Sequence, residues 1–165
     1  MLSGMRIPRT IAVVVLLLCA SCGRGKPDFT GTWVQTSNQP IPGAPEDPDL
    51  EPQMTVTQNA STLTSWVTFV SKSNRSKKHK SGSTTFQLDG SERRNGSTVS
   101  KTYWEGDTLV FMNNRFERDQ LVSTHTVEWS LDKNGMLVVE NTLTTPGQDR
   151  PARMRRVHKR IQEEQ

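Results

Sequence analysis

The 165 residues predict an all-β protein, an antiparallel up-and-down meander of eight or nine strands that closes on itself. Three observations carry this expectation. From Gln53 onward apolar and polar residues alternate with period two, the spacing that gives a strand one buried face. The gaps between these runs are short and rich in Gly, Asp and Asn, as antiparallel neighbours need, whereas a parallel sheet would require helical crossovers. Only 32% of the residues are hydrophobic, and no stretch beyond the N-terminal leader has helical periodicity. A half-polar chain suits a sheet, which needs to bury one face only. Closure removes the edges that so long a meander would otherwise expose.

The leader comes first. Arg6 and Arg9 precede the apolar run Ile11–Leu18, and the small residues Ala20 and Ser21 follow, the three-part order of a secretory signal. The run is too short for a bilayer, which takes about 20 apolar residues. The only two cysteines, Cys19 and Cys22, lie at its end. Cleavage before Cys22 leaves one cysteine, which has no partner for an internal disulfide. Ala20-Ser21-Cys22 resembles the end of a bacterial lipoprotein signal, in which the cysteine is lipidated and becomes the new N-terminus. Cys19 stands where that pattern has Leu or a similar residue. Lipidation at Cys22 and ordinary cleavage nearby are the two readings. The first implies a membrane tether in the bacterial cell envelope, after passage across the inner membrane.

Without residues 1–21 the net charge falls from +4 to +2, because Arg6 and Arg9 leave. So small a charge does not suggest a nucleic-acid binder. The remaining length is that of one domain. The expected organisation is a signal over 1–21, a tether over 22–28 and a barrel over 29–160.

The strands read FTGTWVQTS (29–37), MTVTQ (54–58), TLTSWVTFVS (62–71), STTFQLD (83–89), STVSKTYW (97–104), TLVFMNNRF (108–116), QLVSTHTVEWSL (120–131), MLVVENTL (136–143) and ARMRRVHKR (152–160). Between the first two lies a loop over 38–52, in which five prolines oppose regular structure and four acids favour solvent. One parity of each strand gives an interior: Trp33, Val67, Phe69, Phe86, Leu88 and Tyr103, then Leu109, Phe111, Val127, Trp129, Val139 and Met154.

Gly31-Thr32-Trp33 on the first strand resembles the lipocalins. The resemblance implies that Trp33 plugs one end of the barrel against a basic residue of the last strand, for which Arg155 is the candidate among Arg153, Arg155 and Arg156. Four stretches occur in order: Phe29-Thr30-Gly31-Thr32-Trp33, Thr55-Val56-Thr57-Gln58, Tyr103-Trp104-Glu105-Gly106-Asp107-Thr108-Leu109-Val110 and Trp129–Glu140. They are similar to a group of secreted bacterial proteins of acidobacterial type that begin F-[ST]-G-x-W. That likeness spans nearly the whole mature chain and implies a lipocalin-like barrel, with no chemistry attached.

No catalytic constellation is visible. The chain has three histidines, and no close-spaced ligand pair such as His-x-His. His79 falls in a lysine-rich loop and His158 in the basic last strand, while His125 shares the parity of Val127 and Trp129. Glu105 and Asp107, like Asp132 and Asn134, flank turn glycines and serve the turn backbone. The basic stretches 72–80 and 150–160 read as a solubilising hairpin tip and a charged strand, with an anionic surface as the functional alternative. The expectation is a non-enzymatic barrel without metal or cofactor. It would hold a small apolar or amphipathic ligand against Trp66, Phe86, Tyr103, Phe111, His125 and Trp129. The alternative is an envelope-associated structural or interaction protein with a packed interior; a hydrolase or isomerase ranks below both.

Overall fold

The computed structural model describes residues 25–36 and 49–161. The leader, Cys19, Cys22 and most of the Pro-rich segment lie outside them. The described chain is a single antiparallel sheet without a helix. Its strands are β1 (Gly31–Gln35), β2 (Leu50–Gln58), β3 (Thr62–Ser71), β4 (Lys78–Lys80), β5 (Thr84–Gln87) and β6 (Arg93–Asn95). There follow β7 (Thr98–Glu105), β8 (Thr108–Glu117), β9 (Gln120–Leu131), β10 (Leu137–Thr144) and β11 (Ala152–Ile161). The order is β4-β3-β2-β1-β11-β10-β9-β8-β7-β6, and β5 joins the same edge of β3 as β4. The first strand thus pairs with the last, and the expected meander is present.

Two strands exceed the nine expected from sequence. β4 (KHK) and β6 (RRN) are short, exposed and charged, so no apolar alternation announces them; their backbones pair with β3 and β7. β4 and β5 are one strand interrupted at Ser81–Ser83, where Ser81 N–H donates to Val67 O (2.8 Å) and its hydroxyl accepts from Val67 N–H (3.0 Å). β2 starts at Leu50, inside the Pro-rich segment. Pro52 is accommodated because β1 stops pairing at Val34–Gln53, so the strand start has one ladder partner, Phe69 of β3. Asp49 fastens this start: its carboxylate accepts from the Ser71 hydroxyl (2.6 Å), the Ser73 hydroxyl (2.9 Å) and Ser73 N–H (2.8 Å).

The register sorts the two faces. The core gathers Phe29, Trp33, Val56, Leu63, Leu109, Phe111, Trp129, Leu137 and Val139, with Met54, Phe86, Leu88, Trp104, Val127 and Leu131 packed on it. Phe29 and Trp33 are entirely buried, each contributing roughly 2–3 kcal/mol of apolar burial. They are joined by Trp33 Nε1–H donating to Phe29 O at 2.8 Å. This apolar set occupies the end where β1 begins, called here the floor. The turns after β3, β8 and β10 lie at the opposite end, the mouth.

Candidate functional site: the aromatic floor and the polar wall of the interior

Five rings form a continuous path across the interior. Phe86 meets Phe111 edge-on (centroids 4.7 Å apart), Phe111 meets Trp129 (5.1 Å), Trp129 meets Phe29 edge-on (5.8 Å), and Phe29 stacks on Trp104 (5.9 Å). Each contact lies in the range where aromatic pairs attract beyond their area of burial. They cap the floor with a dense apolar layer.

Above this layer the inner face turns polar on one wall. In β11 the inward positions are Met154, Arg156 and His158. Their partners are Asn141, Val139 and Leu137 of β10, and Gln35 of β1 stands opposite His158. His158 is 8% exposed, and its Nδ1 has no hydrogen-bond partner among the described residues; the same holds for the buried Nδ2 of Asn141. Buried polar atoms are ordinarily paired, and leaving one unpaired costs about 1–3 kcal/mol. Desolvation pulls the His158 pKa below its ordinary value, Arg156 pushes it further down, and the Leu137 carbonyl opposes both. The imidazole is therefore neutral at pH 7. Burial also lowers the Arg156 pKa, though a guanidinium stays charged. Its Nη2 lies 2.7 Å from Met154 Sδ. The wall presents an amide donor, a guanidinium and a neutral imidazole to the interior, a set that complements an oxygen-rich head group.

β5, on one edge of the sheet, and β7, next to the other edge strand β6, approach each other at a seam. No ladder joins these strands. Gly90 N–H donates to Thr102 O (3.0 Å), and Phe86 packs on Phe111. A cavity of about 450 Å³ opens there, reaching inward to Thr84, Phe86, Ser100, Thr102, Phe111 and Asn113. A larger groove of about 540 Å³ lies on the outer face of β9–β11 around Glu128, Glu140 and Arg155. The interior carries the stronger case for a site, because the buried unpartnered atoms face it.

Of the six ligand contacts expected from sequence, Phe86, Phe111 and Trp129 come together as one end of the aromatic path. Tyr103 does not. Thr102 and Trp104 pair with the inward Phe111 and Leu109, so Tyr103 points outward, with Lys101 Nζ 4.9 Å from its ring. Trp66 is likewise on the outer face: its partner Thr55 flanks the inward Met54, and Lys80 Nζ lies 4.0 Å above the indole. His125 has the inward parity but sits exposed at the mouth, beside Asn113 and Leu143. The barrel-end cation is Arg160, not Arg155. Arg160 pairs with Trp33 in register and its guanidinium lies 4.6 Å from the indole centroid, whereas Arg155 faces outward to Glu140 (3.3 Å). The sequence reading missed Phe29, Trp104, Asn141, Arg156 and His158 as interior residues. The signal for the last two was present, since they share the parity of Met154. Among the described residues no group of three or more His, Cys, Asp or Glu gathers to hold a metal ion.

No family model matches this chain, and no curated protein matches it either. Solved structures do. The crystal structure of wild-type fluorescent protein UnaG is similar, with a TM-score of 0.51 and 18% identity over 81% of this chain and 97% of that one. A REP1-NXSQ fatty acid transporter (TM-score 0.49, 11% identity, 82% and 97% covered) and human cRBP IV (0.47, 15%, 82% and 100%) are more distant. At these identities the likeness to UnaG speaks for the fold, an antiparallel β architecture of the same extent.

Proposed function

We propose that this protein is a cell-envelope lipoprotein whose curled sheet holds a small amphipathic ligand. The apolar part lies on the aromatic floor, and an acidic or otherwise oxygen-rich head lies against Asn141, Arg156 and His158. One observation carries the reading: two buried polar atoms, His158 Nδ1 and Asn141 Nδ2, have no partners among the described residues and lie beside an inward guanidinium, directly above an apolar layer. An interior meant only to be packed gains nothing from such a wall and loses stability by it. A fatty acid transporter among the structural neighbours agrees with this reading without carrying it. The anchor rests on the leader sequence and Cys22, and the wall and floor give no role to a catalytic group.

The test is a titration with a fluorescent long-chain fatty acid and, in parallel, its methyl ester. The acid is expected to bind about 10- to 100-fold more tightly, the difference that charge-assisted hydrogen bonds supply. Asn141→Leu should shrink that preference. No binding of either probe returns the protein to the packed, interaction-only alternative; equal binding of acid and ester removes the polar wall from the argument. Intact mass from a membrane fraction, beside Cys22→Ala, tests the anchor: an added lipid mass that the variant lacks is expected.

A further inference from the structure

The two ends of the molecule differ in charge and in exposed apolar surface. At the mouth, Lys77 and Lys78 of the β3–β4 hairpin, Arg118 of the β8–β9 turn, and Arg150 and Arg153 before and in β11 are exposed, with no carboxylate of the described residues within ion-pair distance. The floor end is mixed in charge instead: Glu105, Asp107 and Asp132 lie in its turns together with Lys26, whose Nζ donates to Gly106 O (2.7 Å), Lys133, and Arg160 over Trp33. The two exposed large hydrophobics among the described residues, Leu121 (42%) and Leu143 (43%), are both at the mouth. Leu143 pairs with Ala152 and His125, one residue from Arg153. Leu121 follows the turn that carries Arg118 and pairs with Phe116, over whose ring Arg94 lies at 5.9 Å. Both leucines have the inward parity of Val127 and Val139, so they place apolar surface on the inner edge of this end.

We infer that the mouth rim is a docking surface for an anionic phospholipid bilayer, with the cations on lipid head groups and Leu121 and Leu143 entering the interface. Cations spaced around an opening bind anionic lipid through summed electrostatics, and apolar side chains among them add burial that a purely polar partner does not use. A nucleic-acid surface fits less well, because the most basic stretch, 72–80, has no aromatic residue for base stacking. Docked this way, Leu121 and Leu143 face the bilayer, and the floor end with Glu105, Asp107 and Asp132 points away from it.

The chain carrying Cys22→Ser, so that no acyl group tethers it, is sedimented with vesicles of phosphatidylcholine alone or mixed equally with phosphatidylglycerol. Binding to the mixed vesicles is expected to be at least about tenfold stronger, and to be lost at about 0.5 M salt, where exposed charges are screened. The triple variant Lys77→Glu/Lys78→Glu/Arg118→Glu should abolish the difference while keeping its circular dichroism and its affinity for the fluorescent fatty acid in solution. Leu121→Ser/Leu143→Ser should weaken vesicle binding several-fold, and Lys133→Glu at the floor end should leave it unchanged. Equal sedimentation with both vesicle types overturns the inference. So does a loss with Lys133→Glu as large as with the triple variant, or retention of single-stranded DNA without vesicle binding.

Discussion

Arg160 and Trp33 lock the first and last strands together: paired in register, they place a guanidinium 4.6 Å from the indole centroid. Arg160 Nη2 also donates to Asp28 O (2.9 Å), and Trp33 Nε1 holds Phe29 O, so the chain entering β1 is bound from both sides of the indole. Gly31 makes this possible. A Cβ there would stand 3.2 Å from Cδ and Nε of Arg160, at a φ of 140° that L side chains rarely adopt. The Gly-x-Trp motif therefore encodes room for an arginine as well as a buried ring. Trp33→Ala is expected to cost about 3–5 kcal/mol and Gly31→Ala about 1–3 kcal/mol, against about 1–2 kcal/mol for Arg160→Ala. Urea denaturation measures all three. A neutral Gly31→Ala would show that Arg160 has slack to move, and would remove the steric reading of the motif.

The β8–β9 turn offers a gain rather than a loss. Glu117 and Gln120 pair directly, leaving Arg118 and Asp119 as a two-residue loop with φ of 49° and 63°. Both residues are in the left-handed region, the pattern of a type I′ turn, for which Asn-Gly is the preferred pair. Arg118→Asn/Asp119→Gly should therefore stabilise the fold by about 1 kcal/mol, despite losing the long Arg94–Asp119 contact (3.9 Å). Thermal unfolding should show a midpoint a few degrees higher. An unchanged or lower midpoint would mean that the turn relaxes at no cost in the parent chain.

Strand positions were legible because alternation and turn residues agree along most of the chain. Face assignment failed where two aromatics are adjacent. Tyr103-Trp104 offers either parity, and only the pairing Glu105–Thr108 across Gly106-Asp107, which sets Trp104 opposite Leu109, decides for Trp104. Trp66-Val67 is ambiguous in a similar way, an aromatic and an aliphatic residue competing for one face. The polar wall leaves no apolar signal in the sequence, because Asn141, Arg156 and His158 are polar residues at inward positions. Local rules are expected to break where a fold has a site to build.

The seam is expected to be the weakest line of the sheet. Phe86 is half-buried and spans it by touching Phe111, with the single backbone bond from Gly90 beside it. Phe111→Ala empties a core position and should cost about 3–5 kcal/mol; Phe86→Ala should cost roughly half as much, because part of its ring already meets solvent. The informative readout is amide exchange. Phe86→Ala should speed exchange in β5 and β7 selectively, leaving β1, β10 and β11 protected. Uniform acceleration across the sheet would show that the seam is no separate opening unit.

His158 makes stability depend on pH in a window of its own. Its folded pKa lies below the ordinary 6.5, chiefly because burial disfavours the charged imidazolium and Arg156 repels it. As pH falls below about 6.5 the unfolded chain takes up a proton that the folded chain resists. Stability is then full above that value and declines as pH drops toward the folded pKa. The carboxylates of Asp28, Asp49, Asp89 and Asp132 also have lowered pKa values, through hydrogen bonds from Thr30, Ser71, Ser91 and Met136 respectively, but they act below their ordinary 3.8. The two windows are separable. Urea midpoints between pH 7.5 and 4.5 should fall for the parent chain and stay nearly level for His158→Gln, and both should fall below pH 4. Filling the site with an acidic ligand should flatten the parent curve, because a carboxylate beside the ring favours its protonated form and draws the folded pKa back toward its ordinary value. A level parent curve above pH 4.5 would mean that water reaches the His158 ring and charges it freely, and the dry polar wall would have to be given up.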